Sequence, residues 1–244
     1  MFIAVNSGTS KGEVEGYLKS VNSKWPAIVD TSRAFEKAFG ISISLQNIYQ
    51  VRAVLPDGGI RPVSPRGIDE EVEKLLPQAA WRVDPAGVPA PLKSAWRSLE
   101  FGNFAAAAPA VKKAASASDA ATKKAAEAMN AAILAEIEAR LKAGGEAKTA
   151  GKAWAAYKAF RSVERDFKGF DEAKPASPEV KSLGSDKQVK TELRAAAALE
   201  PAKKLLEESS TKKREEGKKI LMSVAASFPD TEAAATARAL LSGN

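Results

Sequence analysis

The chain has 244 residues, 45% of them hydrophobic and 27% charged, with a formal net charge of +7 and a pI near 9.4. That length and balance suit one large globular domain or two small ones. Cysteine and histidine are both absent, which excludes disulfides, thiol nucleophiles, thiolate metal sites and imidazole acid–base catalysis.

In chain order, Met1-Phe2-Ile3-Ala4-Val5-Asn6 lacks the basic leader and long apolar run of a signal peptide. Phe2 to Val5 reads as a short buried strand that ends at Asn6-Ser7-Gly8. Ser10 with Glu13 three residues on is a capping box, and Val14, Tyr17, Leu18 and Val21 follow at helical spacing. Trp25 to Val29 predicts a second strand, closed by Asp30-Thr31-Ser32. Asp30 sits at that strand end and is read as the cap of the next helix. That helix carries Ala34, Phe35, Ala38 and Phe39 and stops at Gly40. Ile48 to Leu55 and Ile60 to Val63 flank the turn Pro56-Asp57-Gly58-Gly59 and predict an antiparallel hairpin. Asp69 then caps a helix carrying Val72, Leu75 and Leu76. Its neighbours Glu70, Glu71 and Glu73 read as favourable acids at a helix start, not as a metal cluster.

Val83 to Pro91 holds three prolines and predicts a linker over 84–91. Beyond it alanine and lysine dominate, and nothing reads as a strand. Met129, Ile133, Ile137 and Leu141 form a stripe at spacing four, with Gly144-Gly145 expected to break or bend the helix. Trp154, Tyr157, Phe160, Val163 and Phe167 form an aromatic stripe. Trp96, Trp154, Tyr157 and Phe160 are the candidate protein-contact residues; core packing is the competing role for them. Ser177-Pro178 and Asp230-Thr231-Glu232 read as helix starts. The three segments are thus 1–83, 84–91 and 92–244. Residues 1–83 hold ten Lys/Arg and nine Asp/Glu, and 84–244 hold 27 and 21. The excess, Lys212-Lys213-Arg214 included, reads as a solvated helical face more than as a nucleic-acid interface. No apolar run reaches the ~20 residues of a membrane helix.

Several of these segments resemble the thioredoxin-like (redoxin) family, in the part that follows its catalytic helix. They are Phe2-Ile3-Ala4-Val5-Asn6, Trp25-Pro26-Ala27-Ile28-Val29-Asp30, Phe35 to Ile41, and Val54-Leu55-Pro56-Asp57-Gly58-Gly59-Ile60. The resemblance implies an α/β thioredoxin-like portion over 1–83. The family's Cys-x-x-Cys helix would lie before Met1. Tyr49 stands at the family's cis-proline position, so neither half of a redox site is present in 1–244. No cofactor and no metal is expected. Gly102-Asn103-Phe104-Ala105-Ala106-Ala107 and Gly151-Lys152-Ala153-Trp154 resemble the turn between paired helices of tetratricopeptide repeats. That implies an all-α, tetratricopeptide-like region over 92–244.

A thioredoxin-like sheet without its central strand would expose a strand edge. The expected cover is another protein, the helical region itself, or residues upstream of Met1. The leading expectation is a non-catalytic binding or scaffold protein that uses its helical region for protein contacts. The alternative is a truncated exported thiol–disulfide oxidoreductase whose dithiol lies upstream. As written the chain reads as cytoplasmic; an upstream start would make it an exported protein of the cell envelope.

Overall fold

In the computed structural model, residues 3–23, 27–31, 33, 35–36, 39–44, 46–47, 50–55, 58–78, 80–208 and 210–242 are described. The chain divides into two compact units. One is Met1–Ala79 with Thr191–Asn244, and the other is Ala80–Lys190.

In the first unit, β1 (Ala4–Ser7) and β2 (Ala27–Asp30) form a parallel pair, with Ala4 opposite Ala27 and Ser7 opposite Asp30. Between them runs α1 (Lys11–Ser20). Its Ser10–Glu13 capping box forms in both directions: the Ser10 amide donates to Glu13 Oε2 at 3.1 Å, and Ser10 Oγ accepts from the Glu13 amide at 3.5 Å. β3 (Val51–Val54) and β4 (Ile60–Val63) make an antiparallel hairpin. α2 (Ile68–Leu75) follows. Asp69 lies in its first turn and does not cap it; Gly67 holds the cap position.

The expected α/β fold class is corrected here. The structure is mostly helical, 69% helix and 7% strand, with two small sheets among the described residues. The physical reason lies in strand length and pairing. Among the described residues each strand has four residues and the four pair two by two, so no continuous sheet is present there for helices to cover. The helical stripe expected of α1 also fails in part, because Val14 is buried while Tyr17 and Val21 are exposed.

The second unit is wholly helical apart from short turns. Val83 to Leu92 holds two 3-10 turns, Pro85–Gly87 and Ala90–Leu92, and buries Val88 and Leu92. Then come α3 (Lys93–Glu100), α4 (Phe104–Ala115), α5 (Ala120–Thr149), α6 (Ala153–Asp166) and α7 (Ala176–Leu183). Each of these packs mainly against the next along the chain. Their lengths of 8, 12, 30, 14 and 8 residues do not recur at a fixed period. The regular two-helix repeat of a tetratricopeptide array is therefore not reproduced. The core joins Leu99, Phe104, Val111, Met129, Ile133 and Ile137 with buried alanines such as Ala107 and Ala126. The spacing-four stripe is thus core, with Leu141 packed at its margin.

The helix α5 is not broken at Gly144-Gly145. Gly144 is there because the Phe160 ring lies on it. A Cβ at that position would come within 2.9 Å of the ring.

α8 (Lys187–Leu206) crosses the boundary between units. Within the first unit its residues Ala195, Leu199, Ala202 and Leu206 form a core with Leu221 and Val224 of α9 (Thr211–Ser227) and Ala233 and Ala237 of α10 (Glu232–Ser242). Thr231 caps α10 by accepting from the Ala234 amide at 3.1 Å. Buried Glu192 accepts from the Glu232 amide at 3.1 Å. Among the described residues, no helix is long and apolar enough to cross a membrane.

Candidate functional site

The four sequence-predicted aromatics do not form one groove. Phe160 is core, 5% exposed. Trp154 and Tyr157, one turn apart on α6, stack on each other with centroids 5.6 Å apart, and Lys158 Nζ lies 5.6 Å from the Trp154 ring. The Trp154 indole N–H is buried without a partner. Trp96 pairs instead with Trp81, at 5.4 Å and a 47° tilt. Tyr49 lies outside the described residues.

Trp81, which the sequence reading missed, is the exposed member of the pair it forms with Trp96, and Phe101 is a separate exposed ring at the end of α3. Trp81 is 45% exposed and Phe101 60%. The pair is built by a clasp at the C-terminal end of α3. The Glu100 carboxylate accepts from the backbone amides of Arg82 (3.2 Å) and Val83 (3.0 Å). Arg82 Nη1 donates to the Glu100 carbonyl at 2.9 Å, and Trp96 Nε1 donates to the Val83 carbonyl at 2.8 Å. These four bonds lay residues 81–83 along α3 and set the Trp81 ring on Trp96. On α3 the buried positions are Ala95 and Leu99. Lys93, Arg97 and Phe101 recur at spacing four on the opposite, exposed side. A signal for Phe101 therefore existed: it continues the polar stripe of α3, not the apolar one.

The core of this unit also holds a buried aromatic stack. The Phe104 and Phe167 rings lie 4.5 Å apart at 18°, both fully buried. The Arg140 guanidinium lies 5.7 Å from Phe104 and 5.1 Å from Phe167, and Arg82 lies 5.6 Å from Phe104. Arg140 also bonds Glu136 and Asp166, each at 2.8 Å. Both of these cations are neutralised or bonded within the unit, so the stack is structural.

The Asp166 carboxyl is held below the usual aspartate range. The Arg165 hydrogen bond is the largest cause; partial burial opposes it, and the Arg140 hydrogen bond adds to it. A carboxyl with a depressed folded-state pKa stabilises fully above its unfolded value of ~3.9 and loses that contribution as pH falls through the folded value. Acidification below about pH 4 should therefore lower the melting temperature of this unit, and Asp166→Asn should reduce that acid dependence. Thermal melts of the two proteins across that range check this, and parallel curves would count against it.

In the first unit, Asp30 Oδ2 accepts from the Glu36 amide at 3.1 Å, six residues on. Arg33 Nη1 lies 3.6 Å from Glu36 Oε2. Among the described residues, no group of three or more acidic, cysteine or histidine side chains could hold a metal ion. Asp69, Glu70 and Glu71 occupy the first turn of α2, and Glu71 ion-pairs with Arg61. Lys213 pairs with Glu208 at 3.0 Å, and both are half exposed. The chain matches no family model, no curated protein and no solved structure.

Proposed function

We propose that this chain is a non-catalytic protein-binding module whose helical unit docks partners at the Trp81–Trp96 pair. The single observation carrying this reading is that clasped pair, in which the Trp81 ring is held 45% exposed over a Trp96 that packs against the core. Tryptophan and arginine dominate binding hot spots, and rings held in place before binding lose little freedom on association. A ring that served only the core would not be left 45% exposed on a unit that buries so many smaller side chains. The oxidoreductase alternative is not carried forward, because the fold that suggested it is not the one observed.

A photo-crosslinking amino acid at the exposed position 93, one turn from Trp96 on α3, tests the reading, with the exposed position 124 on α5 as the control. The expected outcome is a protein adduct at 93, little at 124, and loss of the 93 adduct in Trp81→Ala. Substitution at so exposed a site leaves folding nearly unchanged, which a melting curve verifies. Equal labelling at both positions, or adducts indifferent to Trp81, would overturn the proposal.

A further inference from the structure

The carboxyl ends of β1 and β2 hold a polar cluster that the docking role leaves unused. Ser7 and Asp30 are register partners there, so their side chains stand side by side on one face of the parallel pair. The Gly8 amide donates to the Asp30 carbonyl at 3.0 Å, and the Glu36 amide donates to Asp30 Oδ2 at 3.1 Å. Arg33 Nη1 lies 3.6 Å from Glu36 Oε2. The same guanidinium lies against Gly8, 3.0 Å from where a Cβ would stand. These contacts close a ring that runs from Ser7 to Asp30, Glu36, Arg33 and Gly8, and so back to Ser7.

Two carboxylates of this ring are taken out of water, with Asp30 6% and Glu36 5% exposed. Two of its oxygens, Glu36 Oε1 and Ser7 Oγ, are shut off from solvent and have no hydrogen-bond partner among the described residues. Closed to solvent, they point into the cluster. A carboxylate buried in this way is costly unless positive charge meets it. Arg33 answers that need only in part. It approaches the other oxygen, at a separation longer than a hydrogen bond, and its side chain is half exposed.

We propose that this cluster binds a hard divalent cation, Mg²⁺ by its chemistry. The donors are two carboxylates and a hydroxyl, and hard cations take oxygen ligands. The imidazole and thiolate donors that favour zinc or copper are missing, since the chain has no histidine or cysteine. Ca²⁺ takes about six to eight oxygens, whereas Mg²⁺ is held by one or two carboxylates and keeps several waters. A set of three side chains suits Mg²⁺. An anion would meet the same two buried carboxylates and is disfavoured. The place is also the one where parallel strands joined by a helix commonly gather ligands. Arg33 and the ion compete for Glu36. The cluster lies in the first unit, so this inference does not rest on the tryptophan pair.

Isothermal titration calorimetry of the full chain with magnesium chloride is the test, with sodium chloride at matched ionic strength as the blank. Mg²⁺ should bind and should raise the melting temperature as its concentration rises. Glu36→Gln should weaken binding by about tenfold or more, and Ser7→Ala should weaken it less. Arg33→Ala should tighten it, because the competing cation is gone; a merely structural role for Arg33 gives no such gain. Glu70→Gln, at an exposed position of α2, should leave binding unchanged. Melting curves without Mg²⁺ show whether each variant folds, and if Glu36→Gln does not, Ser7→Ala and Arg33→Ala decide. No Mg²⁺ binding at millimolar concentrations, unaltered binding in Glu36→Gln, or weaker binding in Arg33→Ala would overturn the proposal. Tighter binding of calcium than of magnesium would overturn the assignment to Mg²⁺.

Discussion

Phe104→Ala should destabilise the 80–190 unit by about 3–5 kcal/mol, the cost of emptying a large aromatic site in a packed core. Phe104 is fully buried, stacks on Phe167 and underlies two guanidinium groups. Deleting the ring leaves a cavity and removes the partner face of Phe167. It also strips the ring face from Arg140, whose attraction to such faces is worth about 0.5–2 kcal/mol. The measurement is denaturant unfolding followed by tryptophan fluorescence. Three of the chain's four tryptophans, Trp81, Trp96 and Trp154, lie in this unit, so the signal reports on it. A loss below about 1 kcal/mol, the scale of an ordinary surface change, would show that the stack is not a core element.

The second expected result is a contrast between adjacent glycines. Gly145→Ala should stabilise by about 0.5–1 kcal/mol, because alanine replaces glycine inside a helix and the new methyl meets nothing within 4 Å. Gly144→Ala gains the same helix preference but drives its methyl to 2.9 Å from the Phe160 ring. Overpacking of this kind costs about 1–3 kcal/mol, so the net change should be destabilising. The matched pair should differ by roughly 2 kcal/mol in unfolding experiments. Equal shifts for the two variants would mean that Phe160 can move aside.

Much of the helical unit was legible because its signals are local. The two Gly-containing echoes are one physical device. Gly102 and Gly151 take positive φ values of 73° and 70° and close helices α3 and α5. In each, the glycine amide bonds back three residues, to Leu99 and to Lys148. The following amide bonds back five, from Asn103 to Ser98 and from Lys152 to Ala147. This is a Schellman closure, and a sequence shows it as glycine followed at once by a new helix. The Met129–Ile133–Ile137 stripe was equally plain, since burial in a helix recurs by turns.

Other parts were misread for reasons that are not local. The short apolar runs that became β1 to β4 were recognisable as strands, but whether four strands join one sheet depends on distant pairing that alternation does not encode. Gly144 looked like a breaker because its reason, the Phe160 ring, sits sixteen residues away. Trp96 and Phe160 entered a single candidate set by residue type alone. The structure separates them: Trp96 lies at the core margin under the exposed Trp81 ring, and Phe160 lies in the core. Trp81 was passed over because it falls beside a proline-rich stretch. Its role appears only once Glu100 gathers the amides of residues 82 and 83.

Residues 80–190 assemble almost entirely from helices that meet their immediate successors. Bringing such elements together closes only small loops, and the entropy lost in loop closure grows with the length closed. Topologies of this kind form quickly, since speed falls as contacting residues become more distant along the chain. The unit can thus acquire its native arrangement stepwise during synthesis, each new helix finding a surface its predecessor has already made.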